Sequence, residues 1–199
     1  MTHHTDRAGT ARRAARQART PLVPAVLGLE EATVLDGAAS LGEAVSGAVT
    51  RDDRVRGLLQ GDWLGHALHP LLVQVPLGTW LSAALLDATG EESADAARLL
   101  VGAGVLAAVP AVAAGWAEYA HCGPRERRVA VVHAAANGVG MVLQTASWMS
   151  RRAGRHGLGK VLSLAAMTAA GSAGYLGGHL TTVRKVGSSD PAYEAAATA

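Results

Sequence analysis

The chain has 199 residues, with 18 Lys and Arg against 16 Asp and Glu, a formal net charge of +2, 49% hydrophobic residues and no phenylalanine. That length fits one compact unit plus an extension. A single cysteine, Cys122, excludes a disulfide framework and a cysteine-ligated cluster, and a near-balanced charge with no aromatic or fold signature gives no nucleic-acid partner.

Residues 1–20 carry five arginines between Arg7 and Arg19 among Ala, Thr and Gly, a composition that reads as a disordered basic tail beside an anionic leaflet. The apolar run at 21–29 is short, holds two prolines and leads into Glu30 and Glu31, so it lacks the form of a signal peptide. From about Glu30, apolar residues recur at Val34, Leu35, Ala38, Leu41, Val45 and Ala48. This period predicts an amphipathic helix, and residues 21–60 are expected to pack at the membrane surface or on the bundle.

Four stretches then run without Lys, Arg, Asp or Glu: residues 67–86, 99–117, 129–150 and 161–183. A helix of about 20 apolar residues crosses a hydrocarbon core roughly 30 Å thick. The expected fold is therefore all-α: an integral membrane four-helix up-down bundle over residues 61–185, with an N-terminal amphipathic and disordered extension. Its spans fall at about 66–87, 98–120, 129–149 and 160–183, and residues 186–199 read as a disordered tail. Pro76 and Pro110 should kink their helices. Gly174 and Gly178 form a GxxxG that favours tight helix packing. No internal repeat is visible.

Positive flanks set the orientation. Arg51, Arg54, Arg56, Arg125, Arg127, Arg128, Arg184 and Lys185 fall on the side of the termini, against Arg98, Arg151, Arg152, Arg155 and Lys160 on the other. Eight against five places both termini in the cytoplasm of a bacterial cell.

Up-down threading gathers His66, His69, Glu118, His121, His133 and His179 at one end of the bundle. His133, Asn137, Gly140 and Gln144 share a helix face, as do Ser172, Tyr175, His179 and Thr182. Such faces point inward, because lipid offers no hydrogen-bond partner. Three readings of the histidines stay open. A b-type haem would be clamped by His133 and His179, with His69 as a third candidate and Tyr175 and Asn137 beside it. A metal ion would take His69, His133, His179 and Glu118. The third reading is that the histidines are ordinary interfacial residues. Trp80, mid-span, reads as packing, and His66 and His121 as lying outside the hydrocarbon.

The stretch from Gly61 to Pro70, with Gly65-His66-Ala67-Leu68-His69-Pro70, is followed by Val75-Pro76-Leu77-Gly78. With Val132-His133 and Gly178-His179-Leu180, it resembles the bacterial membrane family called domain of unknown function 2231 over roughly residues 55–187. Ala67 stands where that family usually has proline. The resemblance implies a four-helix membrane domain, often fused to a Rieske iron–sulfur domain, and hence redox work. Rieske cysteines are absent from this chain, so such a partner would be a separate protein. The leading expectation is a haem-binding redox subunit passing electrons between quinone and that partner. The alternative is a non-catalytic membrane protein, either a metal-binding module or an anchoring and assembly component. No nucleophile–base pair, phosphate loop or paired carboxylate marks an enzyme.

Overall fold

The computed structural model describes residues 20–197; the expected basic tail lies almost wholly outside the described residues. Three helices lead the chain: α1 (Leu22–Glu31), α2 (Asp36–Val49) and α3 (Asp53–Gln60). The side chain of Asp52 caps α3 by accepting from the amides of Arg54 and Val55 at 2.9 and 3.0 Å. Gly61, at φ 79°, ends α3, and a Cβ there would collide with the carbonyl of His66.

A short α4 (His69–Leu72) runs into α5 (Gln74–Thr89), then α6 (Ala94–Glu118), α7 (Pro124–Arg152) and α8 (His156–Gly178), which continues as a π-helical turn over His179–Val183. Among the described residues, three helical stretches, His69–Thr89, Glu91–His121 and Pro124–Arg152, are long and apolar enough to cross a membrane. The fourth, α8, is 23 residues long but diluted by Gly157, Gly159, Gly171, Gly174, Gly177 and Gly178. α6 runs on through Pro110.

Neighbours in sequence pack together, α5 on α6, α6 on α7 and α7 on α8, and α8 also touches α5. The interior is built in layers. Trp80, Val105 and Ala108 meet Met141 and Met167 in the middle. Ala83, Ala97 and Val101 fill one end, and Tyr119, Cys122, Val129, Leu176 and Leu180 fill the other, together with Val26 of α1. Trp80 is packing, as its mid-span position suggested, with its Nε1–H donated to the Val101 carbonyl at 3.3 Å.

An internal repeat that is invisible as residue identity is plain as burial. The buried residues of α5, Pro76, Trp80 and Ala83, correspond at one constant spacing to Gly140, Gln144 and Ser147, buried in α7. In α6, buried Ala97, Val101, Gly104, Ala108, Ala111 and Ala114 correspond, at a constant spacing that is two residues shorter, to Gly159, Ser163, Ala166, Ala170, Ala173 and Leu176 in α8. Contacts repeat as well. Trp80 meets Val101 in the first hairpin, and the equivalent Gln144 accepts from Ser163 Oγ at 3.0 Å in the second. Residues from α4 to α8 thus form two similar helical hairpins, and the matched burial and contacts fit a pseudo-two-fold axis between them.

Two further expectations are corrected. Residues from 186 to 197 are not a loose tail. Ser188 is held by Glu118 and by the Gln60 carbonyl, and α9 (Pro191–Ala197) follows. The GxxxG glycines Gly174 and Gly178 face open space, with nothing within 4 Å of a Cβ placed on either. It is Gly177, one step round the helix, that admits a neighbouring side chain.

Candidate functional site

The histidine end of the bundle divides into three groups. His69, at the start of α4, and His133, in α7, approach each other with ring centroids 6.3 Å apart and planes at 83°. Both are held alike. His69 Nδ1 bonds the Ala111 carbonyl at 2.8 Å and lies against Gly115. His133 Nδ1 bonds the Ala173 carbonyl at 2.8 Å and lies against Gly177. A carbonyl can only accept, so each Nδ1 carries a proton, and in the neutral ring Nε2 is the nitrogen with the lone pair. Asn137 Nδ2 sits 3.1 Å from His133 Nε2 and donates to it. His133 follows His69 by the same 64 residues that separate Arg151 from Asp87, so the two imidazoles are repeat equivalents that meet near the axis.

His179 belongs to a second group and does not join them. It is two residues past Gly177, about 200° round the helix, and its Nε2 lies 2.7 Å from Glu30 Oε1 in α1. Glu30, only 1% exposed, also takes both Nε and Nη2 of Arg184, and its backbone carbonyl accepts from Arg128 at 2.7 Å. Burial alone would raise the Glu30 carboxyl, but the hydrogen bonds from Arg184 and His179 outweigh it and hold it below its ordinary value. Tyr175, also expected near a cofactor, is 41% exposed on the outer side of α8.

Glu118 forms the third group. Its oxygens accept from Ser188 N and Ser188 Oγ at 2.7 Å each, with His121 at 3.6 Å. The four-residue metal set of His69, His133, His179 and Glu118 is therefore dispersed, and among the described residues no group of three His, Cys, Asp or Glu is placed to share an ion. His66 is exposed, its Nδ1 3.1 Å from the Ala67 carbonyl. Cys122 is buried; burial, reinforced by the charges of Glu126 and Glu118, pushes its thiol up to about 12, which leaves it unreactive.

At the opposite end, Arg151 is fully buried and grips Asp87 in a bidentate pair at 2.6 and 2.7 Å. Ser147 Oγ accepts from Arg151 Nε at 3.2 Å, and Lys160 Nζ donates to the Asp87 carbonyl at 2.8 Å. The partners of His179 and Arg151 lie far away in sequence, so only the place of Glu30 and Asp87 beside apolar runs hinted at them.

The sequence profile of a family described as predicted membrane protein (DUF2231) matches residues 65–190. No curated protein and no solved structure matches the chain.

Proposed function

The chain belongs to the DUF2231 family of predicted membrane proteins, and on that footing we propose that it is a four-span up-down bundle whose His69–His133 pair binds one transition-metal ion in the bacterial cytoplasmic membrane. Support for the fourth span comes from the repeat, since the six buried residues of α8 each correspond to a buried residue of its counterpart α6, and from Val161 and Leu164, which are 66% and 70% exposed.

The observation that carries the metal reading is the matched pair of imidazoles. An Nδ1–H donated to a backbone carbonyl is the usual outer-shell arrangement of a metal-ligating histidine. Nitrogens about 2.0–2.1 Å either side of one ion set ring centres roughly 6 Å apart, close to the 6.3 Å observed. Asn137 would turn its amide and offer Oδ1 as a third ligand. Haem b would use the same two nitrogens as axial ligands; the glycines that let each ring lie flush on a neighbouring helix favour a bare ion over a macrocycle. A redox role, with electrons passing between quinone and a soluble iron–sulfur partner, rests on this site holding haem or a redox-active ion. With a redox-silent ion the protein is a non-catalytic membrane module.

Elemental analysis and a reduced-minus-oxidised spectrum of protein purified in mild detergent test this. One equivalent of metal per chain is expected, lost in His69→Ala and in His133→Ala and kept in His66→Ala. A Soret and an α band would identify haem at the same pair. Neither metal nor colour, in protein made with adequate supply of both, would refute the site.

A further inference from the structure

The helix α2 packs with its apolar stripe turned outward. Its buried residues are Ala39, Gly42 and Ser46. These small residues bring the backbone against Tyr119, whose Oη–H donates to the Ala39 carbonyl at 2.8 Å, and a Cβ on Gly42 would come within 2.7 Å of that hydroxyl. The large aliphatics Leu41 and Val45 are left 71% and 41% exposed, and Val34, in the turn just before the helix, 87%. Just beyond, Leu58 is 59% and Trp63 64% exposed, with Trp63 Nε1–H donated to the Leu58 carbonyl.

Burying small residues and exposing large apolar ones is how a helix packs when lipid surrounds it. In water the same face would be a contiguous apolar patch in need of cover. Charge points to the same occupant. The acids of α2 are spent on the bundle, Asp36 on Arg128 and Glu43 on Arg127. Arg51 and Arg54, by contrast, are exposed and appear in no ion pair among the described residues. The strip also continues directly into the first membrane-crossing stretch, where Leu71 and Val75 are 48% and 53% exposed.

We propose that α2, α3 and Trp63 form a half-immersed collar in the leaflet at the histidine end, with Val34, Leu41, Val45 and Leu58 among the acyl chains and Arg51 and Arg54 on anionic headgroups. The arrangement is that of a monotopic amphipathic element, here fixed to a spanning domain. It rests on the membrane location alone and is independent of the metal site.

The test is spin-label accessibility in the full chain reconstituted into vesicles of phosphatidylcholine and phosphatidylglycerol. Leu41→Cys and Val45→Cys are labelled; buried Cys122 stays unlabelled. Collisions with oxygen should exceed those with a water-soluble nickel chelate severalfold, as at the lipid-facing control Leu106→Cys and opposite to the solvent control Asp53→Cys. Immersion should deepen when phosphatidylglycerol replaces phosphatidylcholine, and Arg51→Gln with Arg54→Gln should abolish that response. Ready access of the nickel chelate to Leu41→Cys would overturn the collar. So would exclusion of both probes, which would mean that a second copy or another protein covers the strip. A depth indifferent to phosphatidylglycerol would overturn the headgroup contact.

Discussion

Gly177→Ala is the sharpest probe of how the histidine pair is held. A Cβ at Gly177 would sit 2.9 Å from Cε1 and 3.3 Å from Nδ1 of His133, inside the 3.5–4.0 Å at which heavy atoms rest. The ring must move off helix α8, which lengthens the 2.8 Å bond to the Ala173 carbonyl. Losing that bond costs about 1 kcal/mol and overpacking about 1–3 kcal/mol, while alanine's better helix propensity returns about 0.5–1 kcal/mol. The net expectation is about 1–3 kcal/mol of destabilisation. Gly115→Ala should cost about the same, because its Cβ would meet His69 at 3.0 Å in the equivalent place of the first hairpin. Gly174→Ala, with nothing within 4 Å, should be neutral or slightly stabilising. Reversible unfolding in mixed dodecyl maltoside and dodecyl sulfate micelles, followed by tryptophan fluorescence, measures all three. In a double-mutant cycle the cost of Gly177→Ala should vanish once His133 is alanine. A stable Gly177→Ala protein beside a destabilised Gly174→Ala would show that the ring does not rest where this packing puts it.

Three further outcomes are expected. Asp87→Asn and Arg151→Met should each cost about 3–5 kcal/mol, since each leaves a buried charge without its partner, whereas Asp87→Leu combined with Arg151→Leu should cost much less in the same unfolding assay. Because the Glu30 carboxyl is held below its ordinary value of 4.5, its hold on α1 is complete at neutral pH and lost as the pH falls below that value. Protection factors of residues 22–31 against hydrogen exchange, corrected for the intrinsic rate at each pH, should therefore fall on acidification, and Glu30→Gln should reproduce the loss of protection at pH 7 at a cost of about 1.5–3 kcal/mol. A reporter fused after Lys185 should face the cytoplasm and one placed between Arg152 and His156 the outside; opposite compartments for the two termini would mean three spans.

The charge-free runs were enough to find the helices, because a bilayer tolerates few charges along a span. They were also enough to put the histidines at one end. What they could not resolve was direction around each helix. His179 and Tyr175 share a face that looked inward, yet the strongest partner for His179 is Glu30, 149 positions earlier, and it draws that face toward α1. The same limit hid the repeat. In a lipid-surrounded bundle a buried position requires smallness or fit rather than a given residue, so Trp80 and Gln144, or Val101 and Ser163, hold equivalent places without looking alike. The stripe on α2 left the membrane surface and the bundle both open for a related reason: periodicity reveals that a helix has an apolar side but not whether protein or lipid meets it.

The buried pair of Asp87 and Arg151 occupies equivalent positions of the two hairpins. In a homodimer of identical hairpins a residue near the axis meets its own copy, so this position would set Asp against Asp or Arg against Arg, both repulsive. Opposite charges there require two halves that differ at this position, as the two hairpins of this chain do. With Asp on one hairpin and Arg on the other, the two halves are matched to each other, whereas either half paired with a second copy of itself would bury like charges. The imidazoles are alike on the two hairpins while the ion pair differs, a division between what the axis holds in common and what tells its two sides apart.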